Sequence, residues 1–132
     1  MTEAVLQIED VNVALPDPRL WGSFKVIGVG GSQVELIGWT LGAAAEVERV
    51  EILSGGTVVA TTTPVLPRNE LAERWPDRPS AASCGFRVVI EANGKGKSLL
   101  RLQAVLEDQT TVPMGEITVQ AKARRWDVFR RR

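Results

Sequence analysis

The sequence predicts an all-β fold, an immunoglobulin-like sandwich of two antiparallel sheets with about seven to nine strands. Three observations indicate this fold. Apolar residues recur at every second position in several short segments, which is the pattern of a half-buried strand. Turn signals separate these segments about every ten residues. A single short stretch, within residues 68–75, suits a helix.

The first half of the chain alternates in five segments. Val11, Val13 and Leu15 share one side of the first segment. A loop is expected at residues 16–23. Glycine pairs mark two hairpin turns, Gly30-Gly31 and Gly55-Gly56. The predicted strands are 11–15, 24–29, 34–41, 47–53 and 57–63.

The strand predicted at 34–41 carries apolar residues on both of its faces. Ile37, Trp39 and Leu41 share one face, while Val34 and Leu36 lie on the other. This pattern is typical of a central strand that is covered on both sides. We therefore expect Trp39 in the core.

Three more strands are predicted in the second half. Phe86, Val88 and Ile90 should point inward from the first of them. A turn is expected at residues 93–97. Pro113 cannot donate a backbone hydrogen bond, so the last strand should start at an edge or a bulge. The predicted strands are 85–92, 99–108 with the inward residues Leu100, Leu102, Ala104 and Leu106, and 110–121.

A long connection at residues 66–86 interrupts the alternation. Its short helix should have Asn69 as N-cap and should end before Pro76. A helix of this length is not stable without packing. Leu71 and Trp75, four residues apart, are therefore expected to bury against the sandwich.

The length and composition of the chain are typical of a single globular domain. The 132 residues are 44% hydrophobic and 24% charged, with sixteen basic and sixteen acidic side chains. A net charge of 0 argues against specific nucleic-acid binding. Residues 1–65 hold eight acidic and three basic residues, whereas residues 66–132 hold eight and thirteen. We expect a β-sandwich domain at 1–121 and a basic tail or linker at 122–132.

The residue types argue against catalysis. The chain has no histidine, which removes the commonest general base, the usual catalytic triads and histidine-containing zinc sites. Cys84 is the only cysteine and is interpreted as a small buried filler. Glu48 and Glu51 lie on a predicted strand with no sign of a cleft. We expect no catalytic residue, no metal and no cofactor.

The sequence also bears on location and assembly. Its first residues lack the long apolar run of a signal peptide, and no stretch reaches the length of a membrane span. We therefore expect a cytoplasmic protein without a transmembrane segment. An exposed strand at a sheet edge would offer a route to oligomers.

The connection holds the best candidates for a binding site. Trp75 and Trp21 are two of four tryptophans, and indole rings can stack on sugars or bases. Arg68, Arg74, Asp77 and Arg78 are close to Trp75 in sequence. These charged residues can contact an anion or a partner. The structural interpretation, which we favour because nearby carboxylates can balance the arginines, is a clamp in which Arg68 pairs with Asp77.

One run of motifs resembles a known family. It begins with Gly38-Trp39, continues with VERVEILSGGTVVA at 47–60 and LPRNELAERWP at 66–76, and ends with SAASCGF at 80–86. The run resembles the Ig-like β-sandwich accessory modules of bacterial multidomain proteins. Those modules often stand beside glycosyltransferase or methyltransferase domains.

Two departures from the family pattern leave the resemblance intact. Arg68-Asn69-Glu70 stands where the family commonly has Arg-Pro-Asp, and Ser54-Gly55-Gly56 stands where it often has Asp-Gly. The resemblance implies an accessory role rather than a reaction. It carries no catalytic residue over to this chain.

Three hypotheses for function follow. The first is a non-catalytic accessory or interaction domain of a glycan-related bacterial protein, which contacts a neighbouring catalytic domain or a protein partner. The second is a carbohydrate-binding module, which needs two exposed aromatic rings on one face or in one groove. The third is a small enzyme, which needs paired carboxylates in a cleft or an activated Cys84.

Overall fold

The computed structural model describes residues 4–91 and 96–123. Most of the turn predicted at 93–97, and nearly all of the predicted basic tail, lie outside these residues. In chain order the elements are β1 (Ala4–Val13), β2 (Leu20–Gly30), β3 (Gln33–Gly42), β4 (Val47–Ser54), β5 (Thr57–Thr62), α1 (Asn69–Arg74), a 3₁₀ helix (Pro79–Ser83), β6 (Gly85–Glu91), β7 (Gly96–Leu106) and β8 (Thr111–Ala123).

The strands form two antiparallel sheets, which confirms the predicted all-β sandwich. The larger sheet has the order β1-β8-β7-β4-β5, and the smaller sheet has the order β2-β3-β6. The chain passes from one sheet to the other between β1 and β2, β3 and β4, β5 and β6, and β6 and β7. Such crossings are characteristic of immunoglobulin-like sandwiches, in which the inner faces of the two sheets bury each other.

The main core lies between the two sheets. Phe86, Val88 and Ile90 reach it from β6, as predicted. Val34 and Leu36 reach it from β3, the central strand of the smaller sheet. The four inward residues predicted for β7 are all buried: Leu100, Leu102, Ala104 and Leu106.

The largest differences from the predicted strand boundaries are in β1 and β2. β1 runs from Ala4 to Val13 rather than over 11–15, and Leu15 is 88% exposed beyond its end. β2 begins at Leu20, so the loop predicted at 16–23 is shorter. The apolar alternation does not extend through these stretches of β1 and β2. Their backbone pairing with β8 and β3 nevertheless continues through polar and glycine positions.

A bulge in β2 sets which side chains face outward. The pairing of β2 with β3 shifts by one residue between Val26 and Gly28, which leaves Ile27 unpaired. Side chains alternate along a strand, so this shift moves the first half of β2 to the opposite face. Trp21 consequently pairs with Leu41 on the outer face of the smaller sheet.

The irregularity predicted at Pro113 is confirmed as a bulge. The pairing of β7 with β8 shifts between Leu102 and Gln103, which face Gly115 and Pro113 respectively. β8 is nonetheless an interior strand, between β1 and β7. Its backbone pairing extends to Ala123, two residues beyond the domain end predicted at 121.

The connection between β5 and β6 is attached to the smaller sheet by backbone hydrogen bonds. Leu66 and Gly85 exchange two N–H···O bonds of 2.9 and 3.0 Å. The amide of Thr40 in β3 donates to the carbonyl of Cys84 at 3.0 Å. Within the connection, the Arg68 amide donates to the Ala82 carbonyl at 2.8 Å. These bonds hold the connection against the sheet.

The short helix is present, but its predicted N-cap is wrong. Arg68 is the N-cap, without a side-chain capping bond, and Asn69 is the first helical residue. The Arg68 carbonyl accepts bonds from the amides of Leu71 and Ala72, at 3.0 and 3.4 Å, so the first turn already closes at Arg68.

No helix in the described part of the chain is long and apolar enough to cross a membrane.

Gly38 lies where the packing leaves no room for a side chain. A Cβ atom there would be 2.4 Å from the Ser23 carbonyl oxygen and 2.6 Å from Cζ of Phe86. We expect Gly38→Ala to lower the free energy of unfolding by about 3 kcal/mol, because backbone and a buried ring must move. Urea unfolding measures this loss. Gly30→Ala is the control, since nothing lies within 4 Å of its Cβ position, and equal losses in both variants would contradict the packing described.

Candidate functional site

A second apolar cluster lies on the outer face of the smaller sheet, beneath the connection. Trp39 and Trp75 are half-buried and pack against it. The burial predicted for Leu71 is confirmed, and Trp75 is buried in part. Trp39 packs on this second cluster rather than between the two sheets, because its side chain faces outward and the connection covers it. β3 is thus covered on both faces, as predicted. The buried members of the cluster are Leu41, Leu71, Ala81 and Cys84.

Three tryptophans meet at this cluster. The ring centroid of Trp75 lies 5.2 Å from that of Trp21, with the planes inclined by 32°. It lies 5.6 Å from that of Trp39, with an inclination of 47°. These separations fall in the favourable range for aromatic pairs. Trp21 remains 36% exposed, so the group reaches the protein surface.

Two arginines stack on two of these tryptophans. Cζ of Arg74 lies 4.7 Å from the ring centroid of Trp75, and Cζ of Arg78 lies 5.3 Å from that of Trp21. Both distances suit cation–π contacts. Arg78 Nη1 also donates to the Gly42 carbonyl at 3.2 Å. We call Trp21, Trp39, Trp75, Arg74 and Arg78 together the Trp–Arg surface.

The end of α1 fixes this geometry. Trp75 follows the last helical residue and donates its backbone N–H to the Leu71 carbonyl at 2.9 Å. Pro76 ends the helix there, because its ring has no amide hydrogen to continue the ladder. The Arg78 amide then donates to the Trp75 carbonyl at 3.0 Å. This turn leads to Arg78, whose guanidinium lies over the ring of Trp21.

The structure gathers three of the five predicted binding residues, namely Trp75, Trp21 and Arg78. Arg68 lies at the other end of α1, where its Nε donates to Glu70 Oε1 at 2.5 Å. This bond lowers the pKa of the Glu70 carboxyl below its usual value. The predicted clamp between Arg68 and Asp77 is therefore wrong. Glu70 lies in the first turn beside Arg68, whereas Asp77 comes after the helix has ended.

The sequence places Arg74 among the charged residues around the helix but gives no sign that it stacks on Trp75. Trp39 is the member of the surface that sequence reasoning does not place there, because its strand is apolar on both faces. The observed register of β2 and β3 places Ser23 opposite Trp39 and Trp21 opposite Leu41. Diagonal neighbours in a sheet can touch when the side chains are long.

A cleft of about 140 Å³ lies beside Cys84 and tests the enzyme hypothesis. Its one carboxylate is that of Glu46, which accepts a hydrogen bond from the Ser80 hydroxyl. Cys84 Sγ donates to the Ala81 carbonyl at 3.3 Å, and burial raises the pKa of this thiol. A buried, protonated thiol is a poor nucleophile, which agrees with the predicted filler role. The described residues hold no group of three or more side chains suited to a metal ion.

Comparisons with known proteins add a similarity of shape. No protein-family model matches the chain, and no curated protein matches it. Among solved structures, it is similar to the fibronectin(III)-like modules of Clostridium thermocellum CbhA, with a TM-score of 0.41 and 11% identity. The match covers 87% of this chain and 45% of that one, so the chain spans less than half the length of the structure it matches.

The packing of Trp75 leads to a prediction for stability. We expect Trp75→Ala to lower the free energy of unfolding by about 2 kcal/mol, less than for a fully buried tryptophan, because the ring is half-buried. Thermal and urea unfolding measure the loss. Glu73→Ala, an exposed position on the same helix, is the control and should change little. An unchanged melt for Trp75→Ala would contradict the packing role.

Proposed function

We propose that this chain is a non-catalytic accessory domain of a glycan-related bacterial protein, in which it stands beside a glycosyltransferase. In this role the Trp–Arg surface contacts the neighbouring catalytic domain or a protein partner. This surface supports the role, because it combines indole rings and guanidinium groups at one exposed place. The resemblance of residues 38–86 to bacterial accessory modules supports the context.

The composition of the surface suits protein contact. Tryptophan and arginine are enriched among the residues that contribute most to protein–protein binding. Trp21 comes from β2, Trp39 from β3 and Trp75 from the end of α1. Strands of the sandwich thus hold two of the rings, and the attached connection holds the third. A surface fixed in this way loses little conformational entropy when a partner binds.

Hydrogen exchange tests the accessory role. The domain alone is compared with the domain mixed with the glycosyltransferase encoded beside it or in the same polypeptide. We expect slower exchange at residues 74–80 and at the start of β2, because these segments would be covered. Trp21→Ala should reduce this protection, whereas Val58→Ala, an exposed apolar position on β5, should retain it. Protection confined to the larger sheet, or none, would contradict the proposal.

Carbohydrate binding is the second candidate function. The adjacent, partly exposed rings of Trp21 and Trp75 favour it, because sugars stack on such rings. The guanidinium groups over both rings weigh against it, since they occupy the faces that a sugar would need. A glycan array separates the two functions. Binding that is lost in Trp21→Ala and kept in Val58→Ala would establish the carbohydrate function.

A further inference from the structure

The arginines of the described residues differ in their partners. Seven arginines lie in residues 4–91 and 96–123. Five of them form ion pairs with a carboxylate, namely Arg19, Arg49, Arg68, Arg87 and Arg101. Arg74 and Arg78 have no carboxylate partner among the described residues. They are also the two arginines that stack on tryptophan.

Stacking leaves the hydrogen-bond donors of these arginines available. A guanidinium has five N–H donors in its plane, and stacking on a ring engages its face rather than its edge. Arg78 uses one donor on the Gly42 carbonyl, and Arg74 uses none on the described residues. The indole below each group restricts its movement. Arg74 and Arg78 therefore each present two parallel N–H donors, already held in place, that match the two oxygens of a carboxylate.

The surroundings narrow the class of ligand. Glu73 and Asp77 are exposed on the same connection. A nucleic acid, with a charge at every phosphate, would be repelled by these carboxylates along its length. A peptide segment can place single carboxylates at the two guanidinium groups and uncharged residues elsewhere. The charge pattern thus favours an acidic peptide over a continuous polyanion.

We propose that Arg74 and Arg78 form a carboxylate-binding pair that docks an acidic segment of a protein partner. Each guanidinium donates to a carboxylate of the segment while it remains stacked on its tryptophan. The inference rests on the proposed function and names the chemistry that the partner must present. It makes the surface selective for aspartate and glutamate side chains.

Titration followed by nuclear magnetic resonance tests the pair. The probe is a short peptide of glycine, aspartate and glutamate, added to the whole chain at low salt. We expect it to shift the indole N–H signals of Trp21 and Trp75 and the Nε–H signals of Arg74 and Arg78. The matched peptide with asparagine and glutamine should shift none of them. High salt should weaken the binding.

Variants separate a shaped site from general attraction. Arg74→Lys keeps the charge but loses the two parallel donors, and we expect it to weaken peptide binding about tenfold. Arg101→Lys, an exposed arginine on the larger sheet, is the matched control and should bind as the unchanged chain does. Arg74 is exposed at the end of α1, so its variant should fold, and a thermal melt checks this.

Several results would overturn the inference. Equal affinity of Arg74→Lys and the unchanged chain would show that charge alone attracts the peptide. An equal loss in Arg101→Lys would show the same. Tighter binding of oligogalacturonate or of single-stranded RNA than of the acidic peptide would assign the surface to another class of ligand.

The inference and the proposed function fail separately. If the neighbouring glycosyltransferase still protects residues 74–80 when Arg74 and Arg78 are both lysine, the accessory role stands and the carboxylate pair is wrong. If the acidic peptide binds as described but the glycosyltransferase gives no protection, the pair stands and the accessory role is wrong.

Discussion

The structure depends on how the outer face of the smaller sheet is covered. β3 is apolar on both faces, and the main core covers only one of them. The connection between β5 and β6 covers the other where Trp39 and Leu41 lie, with Leu71 and Trp75 as its packing residues. Removing these apolar groups from water stabilises the connection, since six helical residues are too few to be stable alone.

The same packing creates the surface. Trp75 is only partly buried, because it lies at the edge of the connection, where it contacts Trp21 on the first half of β2. The rings that hold the connection in place therefore also reach the solvent, where Arg74 and Arg78 stack on them. Stability and binding thus share side chains. A partner bound at this surface would also stabilise the packed connection, because a ligand that binds only the folded state increases the stability of that state.

Most of the fold could be predicted from the sequence, because alternation, glycine turns and the proline at the bulge are local signals. The site could be predicted only in part. Without the bulge at Ile27, the pairing that begins at Gly30 and Gln33 would place Trp21 opposite Gly42 and toward the core. The bulge has no local signal as strong as a glycine turn. The ion pair of Arg68 likewise depends on where the helix begins, which propensity places only approximately.

Trp75 holds the connection by packing on Trp21 and Trp39. A double-mutant cycle on Trp21→Ala and Trp75→Ala measures the Trp21 part of this packing directly, as the difference between the double variant and the sum of the single variants in urea unfolding. We predict a coupling of about 1 kcal/mol between the two rings. Losses that simply add, with no coupling, would contradict it.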